Sequence, residues 1–133
     1  MLCLMRNEVF NVNKDSALQN FWSLFGLPAY EESTVPDNAK MPYITYSVAT
    51  DSLYGEDVTL SANLWYYSNS WKDISLKAQE ISDKIGFGGY TLKTDTGYVW
   101  IKRRTPFAQR MSESDEPDVR RIYLSISAEF IDK

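Results

Sequence analysis

Histidine is absent from the 133 residues. With it go the commonest general base near neutral pH, the usual partner of a nucleophilic serine or cysteine, and the usual nitrogen ligand of zinc, copper or non-haem iron. Cysteine occurs once, as Cys3, which excludes an intrachain disulfide framework and a multi-cysteine zinc site. With no base or metal partner beside it in sequence, Cys3 reads as a bystander. No run approaches the ~18 consecutive apolar residues of a membrane-spanning helix. The apolar opening MLCLM is interrupted at once by Arg6, Asn7 and Glu8, too soon for a signal-peptide core, so the expected location is cytosolic. Basic charge is also in deficit: 14 Lys and Arg against 18 Asp and Glu give a net charge of -4, a field that disfavours non-specific binding to nucleic acid or anionic lipid.

What is present is an ordinary globular composition, 44% hydrophobic and 24% charged. A chain of this length suits one domain and can bury roughly two-thirds of its unfolded surface without staples. Aromatic residues make up 14%, with 4 Trp and 9 Tyr, and such rings favour cores and protein interfaces. Residues 1–12 show no period and read as an N-terminal tail ahead of a single domain over residues 13–133. Leu18, Phe21, Trp22 and Phe25 fall at i, i+3, i+4 and i+7, which predicts a helix over residues 14–25. Asn13 or Asp15 can cap its start, and Gly26 with Pro28 ends it. Residues 29–42, polar and broken by Pro36 and Pro42, read as a loop.

Alternation then predicts strands over residues 43–48 and 58–67, joined by a turn containing Asp51, Ser52 and Gly55 and paired with each other. A second helix is expected from Ser70, with Asp73 placed for a capping box and Trp71, Ile74, Ala78, Ile81 and Ile85 on one side. After Gly86 the chain returns to strands: a short one opened by Gly88-Gly89, one over residues 98–103, and the cleanest over residues 121–131, where Ile122, Leu124, Ile126, Ala128 and Phe130 form one apolar face. The stretch 104–120, about 15 residues without a period, exceeds ordinary connections and reads as a long functional or disordered loop. The expected class is α+β in two layers, order α-β-β-α-β-β, with a mostly antiparallel four- to five-stranded sheet and two helices packed on one face. The other sheet face would present Tyr43, Thr45, Ser61, Asn63, Trp65, Tyr67, Tyr123 and Ser125, a mixed surface of the kind that meets another subunit.

Motifs for chemistry are weak. Gly86-Phe87-Gly88-Gly89 follows a helix and opens a strand, the reverse of a phosphate loop, so it reads as a helix stop and turn. The acids Glu113, Asp115, Glu116 and Asp118 lack the alternation and central glycine of a calcium loop and read as a solvated or partner-facing segment. Glu31 and Glu32, adjacent in an extended segment, point apart and make no acid–base pair. Arg103, Arg104, Arg110, Arg120 and Arg121 gather at the ends of the long stretch, suited to phosphate or carboxylate. The negative net charge favours carboxylates, whether of the same loop or of a neighbouring subunit. Trp22 and Trp71 lie on helix stripes and read as core, whereas Trp65 lies on the mixed sheet face. No enzyme activity, cofactor or metal is expected.

The phrases PYITYSV, LWYYSNSW, TPFAQRM and RRIYLSISAEF, within a pattern covering about residues 11–132, resemble the small tail proteins of siphophages and prophages of Gram-positive bacteria. Among these the chain is similar to tail terminator or tail completion proteins, with head-tail joining (neck or minor capsid) proteins as the neighbouring alternative. The resemblance implies a sheet flanked by helices in the order above. It also implies a hexameric ring that caps the head-proximal end of the tail tube and docks the head connector. Implied partners are further copies of the chain, the tail tube protein and the connector proteins. No membrane and no sequence-specific nucleic acid is implied, although DNA would pass through the ring. The implied location is the virion, after assembly in the host cytoplasm. A ring needs two different complementary patches. The expected interface residues are Trp65, Tyr67, Tyr43 and Tyr123 on the sheet, with Arg103, Arg104, Arg110, Glu113, Asp115, Glu116 and Arg120 around the long stretch. A different class, a small ligand-binding or regulatory α+β domain stacking a metabolite on the aromatic face, would require a concave pocket there.

Overall fold

The computed structural model describes residues 14–48, 57–112 and 115–132. The expected tail, Cys3, Asn13, the turn at Asp51, Ser52 and Gly55, and Glu113 lie outside these residues. The first helix, α1 (Lys14–Trp22), passes into a single 3-10 turn (Ser23–Phe25) and stops at Gly26, whose φ of 77° is left-handed. Its stripe is buried as its spacing requires, with Leu18, Phe21, Trp22 and Phe25 at most 3% exposed. The second helix, α2 (Lys72–Ile85), buries Ile74, Ala78, Ile81 and Ile85. It starts two residues later than Ser70, whose Oγ accepts the Lys72 N–H at 3.1 Å. Gly86, at φ 71°, ends it. Gly86-Phe87-Gly88-Gly89 is thus a helix stop and turn. Gly89 has φ +91°, and a Cβ there would meet the Ile101 carbonyl oxygen at 2.8 Å as well as the Trp100 indole.

Among the described residues six strands form one sheet in the order β1-β2-β3-β6-β5-β4. They are β1 (Ala29–Glu31), β2 (Tyr43–Tyr46), β3 (Asp57–Tyr67), β4 (Tyr90–Lys93), β5 (Gly97–Met111) and β6 (Val119–Asp132). The expected four to five strands become six, and the order becomes α-β-β-β-α-β-β-β. The added strand, β1, lies within the expected 29–42 loop and runs parallel to β2, so the sheet is mixed. Three residues are too short to show a period, and they hold the edge through tertiary bonds: Gln19 of α1 donates to the Ala29 carbonyl at 3.0 Å and accepts from the Tyr46 hydroxyl.

The larger correction concerns residues 104–120, which are mostly strand. Arg103 pairs with Ile126 and Ala108 with Leu124, so residues 104–107 stand opposite Ser125 alone, a wide bulge that contains Pro106. Before the bulge, Val99, Ile101 and Arg103 face the helices; after it, Ala108 and Arg110 do. The bulge shifts the alternation by one, so no single period runs through the segment. Among the described residues of the connection, a turn over 115–118 precedes Val119.

Both helices share one core with the inner sheet face: Ile44, Leu60, Leu64, Val99, Ile101, Ile122, Leu124, Ile126 and Phe130 are each at most 4% exposed. Side chains of this size contribute roughly 1.5–3 kcal/mol each on burial. The two edge strands, β1 and β4, both contact α1, so the sheet curls around the helical layer. The Phe21 ring is central to that closure, 4.8 Å from Trp22, 5.5 Å from Phe25 and 5.7 Å from Tyr90 of β4.

Candidate assembly surface

Strand alternation divides the expected site residues between the two sides of the sheet. Tyr43, Trp65, Arg121 and Met111 occupy one cross-strand row, and Thr45, Asn63, Tyr123 and Gln109 the next, all on the face away from the helices. Tyr30 of β1 joins them, its ring 5.7 Å from that of Tyr43 in an edge-on contact. Trp65 donates its indole N–H to Thr45 Oγ1 at 2.9 Å. Arg121 donates to Asn63 Oδ1 at 2.9 Å, and its guanidinium lies 5.3 Å from the Trp65 ring centre. These diagonal contacts fix half-buried rings in place, which lowers the entropy that a partner must freeze on contact. Tyr67, at the end of β3 beyond β2, is 69% exposed.

Farther along the same face, Lys102 lies 4.3 Å from the Trp100 ring centre and 3.5 Å from Asp57. Between the two ends lie the small polar residues Thr59, Ser61, Ser125 and Ser127. Because the sheet curls toward the helices, this open face is on the outside of the curl. It offers aromatic edges and paired charges rather than a cup.

The arginines fall elsewhere. Arg103 faces the helices and donates to Ser82 Oγ of α2 at 2.7 Å. Arg110 also faces them, 3.4 Å from Ser75 Oγ and 5.0 Å from the Trp71 ring centre. Arg120 lies 5.2 Å from the same ring and donates to the carbonyls of Pro117 and Asn69, tying the β5–β6 turn to the start of α2. Trp71 is therefore half-buried under two guanidinium groups, whereas Trp22 is 1% exposed. Arg104 is exposed in the bulge, and Asp115 and Glu116 are exposed in the turn.

The structure thus brings Tyr43, Trp65 and Tyr123 together and places Arg103, Arg110 and Arg120 on the opposite side. Arg121, one of the arginines noted at the ends of the long stretch, lies on the open face, and Tyr30, Trp100 and Lys102 join it without having been selected from sequence. For Trp100 and Lys102 the signal was available, because Tyr98, Trp100 and Lys102 alternate with Val99 and Ile101; for Tyr30 no local signal exists. Set against family models, curated proteins and solved structures, the chain matches none of them.

Proposed function

We propose that the chain is a structural subunit of a phage virion, a tail terminator or tail completion protein whose work is done by contact surfaces rather than by a reaction. The observation that carries this reading is the open sheet face, where Tyr30, Tyr43, Trp65 and Tyr123 are held in register by neighbouring polar groups while neither helix covers them. Rigid aromatic rings beside an arginine are the usual composition of interface hot spots. The resemblance of the PYITYSV, LWYYSNSW and RRIYLSISAEF segments supports the same assignment, and these segments supply β2, β3 and β6, the strands of that face. A head-tail joining role would use the same face on a different neighbour.

The test is the absolute mass of the purified chain by light scattering, alone and mixed with tail tubes. A discrete species near six times the 15.3 kDa chain mass, or capture on tube ends, is expected, and the Trp65→Ala/Tyr123→Ala variant should lose it while keeping its far-UV circular dichroism. A chain that stays monomeric and ignores tube ends is not a terminator.

A further inference from the structure

The row of the sheet that β4 begins is left unfinished. β4 pairs with β5 from Lys93↔Tyr98 to Tyr90↔Ile101, and at Gly89, with φ +91°, the chain leaves that row for α2. From Lys102 to Met111 β5 continues along β6, and among the described residues no strand pairs with its outer side. In an antiparallel ladder successive residues aim their N–H and C=O alternately to either side, so Lys102, Arg103 and residues 108–111 present outward backbone groups in strand geometry on the two sides of the bulge, within which Pro106 has no N–H to donate.

Two grooves lie along the same edge. One, about 380 Å³, is lined by Gly86, Phe87, Lys102, Arg103, Arg104 and Phe107 among others. The next, about 290 Å³, is lined by Ser75, Gln79 and Ser82 of α2 and by Phe107, Ala108 and Arg110. They share Phe107 and together follow the edge. Ser75, Gln79 and Ser82 fall at i, i+4 and i+7, so one flank of α2 forms the far wall.

We propose that this edge and its grooves take an extended acidic segment of a partner protein, added as a strand that completes the row begun by β4. The charge of the site selects the partner. Arg103 and Arg110 meet serine hydroxyls, Arg104 is exposed, and among the described residues no acid lines either groove. Carboxylates at alternate positions of an added strand would point to the helix side, where Arg103, Arg110, Phe107 and Ala108 line the grooves, while the intervening residues would continue the open face.

Other occupants fit less well. A second copy of the same edge would set cation against cation across the ladder. The opposite edge of another copy is closed, because Gln19 and Thr34 already bond the outward carbonyls of Ala29 and Glu31. A nucleic-acid strand would satisfy the cations but leave the backbone carbonyls of β5 facing acceptors, against a whole-chain charge of -4. The surface borders the open aromatic face at Lys102 and otherwise lies on the helix side of β5, and the inference stands without the virion role.

The experiment titrates the isotopically labelled full chain with a peptide of alternating valine and glutamate long enough to span residues 102–111. Expected are amide shifts and slowed hydrogen exchange confined to those residues, weaker binding at high salt, and roughly tenfold loss of affinity in Arg104→Glu, whose side chain makes no contact that folding requires. A lysine-for-glutamate peptide that binds equally well, an oligothymidylate that binds more tightly, or the absence of protection along 102–111 would each overturn the proposal.

Discussion

At the scale of single residues, Tyr66 is the clearest example of placement setting chemistry. Alternation along β3 turns it toward the helices, where it packs beside the core. Burial raises its phenol above the ordinary value near 10, and the carboxylates of Asp73 and Glu80 on α2 push in the same direction. The folded state therefore holds the phenolic proton at a pH where the unfolded chain has released it. The resulting stability is complete below about pH 10 and is lost as pH rises through the raised value. Tyr66→Phe should accordingly show a smaller fall in Tm between about pH 8 and about pH 11 than the parent, measured by thermal circular dichroism; an equal fall would place the alkaline sensitivity elsewhere. The inward turn of Tyr66 was legible from alternation alone, as was that of Leu60, Ala62 and Leu64. The position of Trp71 was not. Its helical spacing with Ile74 and Ala78 marks it as core, but it sits at the N-cap of α2, where Arg110 and Arg120 from β5 and β6 can reach its ring, and no local pattern encodes that contact.

At the scale of elements, legibility followed the regularity of the period. α1, α2, β3 and β6 carry unbroken apolar spacings, and each forms within a few residues of its expected bounds. β5 fails that test for a physical reason: the bulge over residues 104–107 moves the inward positions from odd to even numbers, and Pro106 removes a donor in the middle. β1 fails for another, since a three-residue strand is stabilised by Gln19 and by its parallel partner rather than by its own sequence. The closure of the sheet depends in turn on α1, which touches both edge strands. Phe21→Ala would empty the point where α1, the 3-10 turn and β4 meet. The expected loss is about 3–5 kcal/mol of unfolding free energy, a large share of the ~5–15 kcal/mol typical of a domain, read from denaturant midpoints. Hydrogen exchange should accelerate first in β1 and β4, the two strands that α1 holds. A loss below about 1 kcal/mol would mean that the sheet closes without this helix.

At the scale of the whole molecule, the chain separates its surfaces by charge and by side. In each helix acidic and basic residues balance, whereas Lys102, Arg103, Arg104 and Arg110 lie close together along β5. Tyr30, Tyr43, Trp65 and Tyr123 lie across the sheet, with the core between them and the helices. The candidate site was half legible for this reason. Alternation identified Tyr43, Trp65 and Tyr123 as one face, with the arginines as a second patch around a long loop; most of that stretch is strand instead, which carries Arg103 and Arg110 on the helix side. Two surfaces of one sheet that meet at Lys102 should behave additively when the substitutions lie away from it. Trp65→Ala/Tyr123→Ala is expected to weaken self-association or tube capture by at least about thirtyfold, the scale of a lost hot spot of ~2 kcal/mol, while leaving affinity for the acidic peptide unchanged. Arg104→Glu is expected to do the reverse. Measuring both readouts on both variants and on the combined variant tests the separation directly. If Arg104→Glu also abolishes the assembled species, the cationic edge belongs to the subunit contact, and the acidic strand it takes is supplied by the assembly itself.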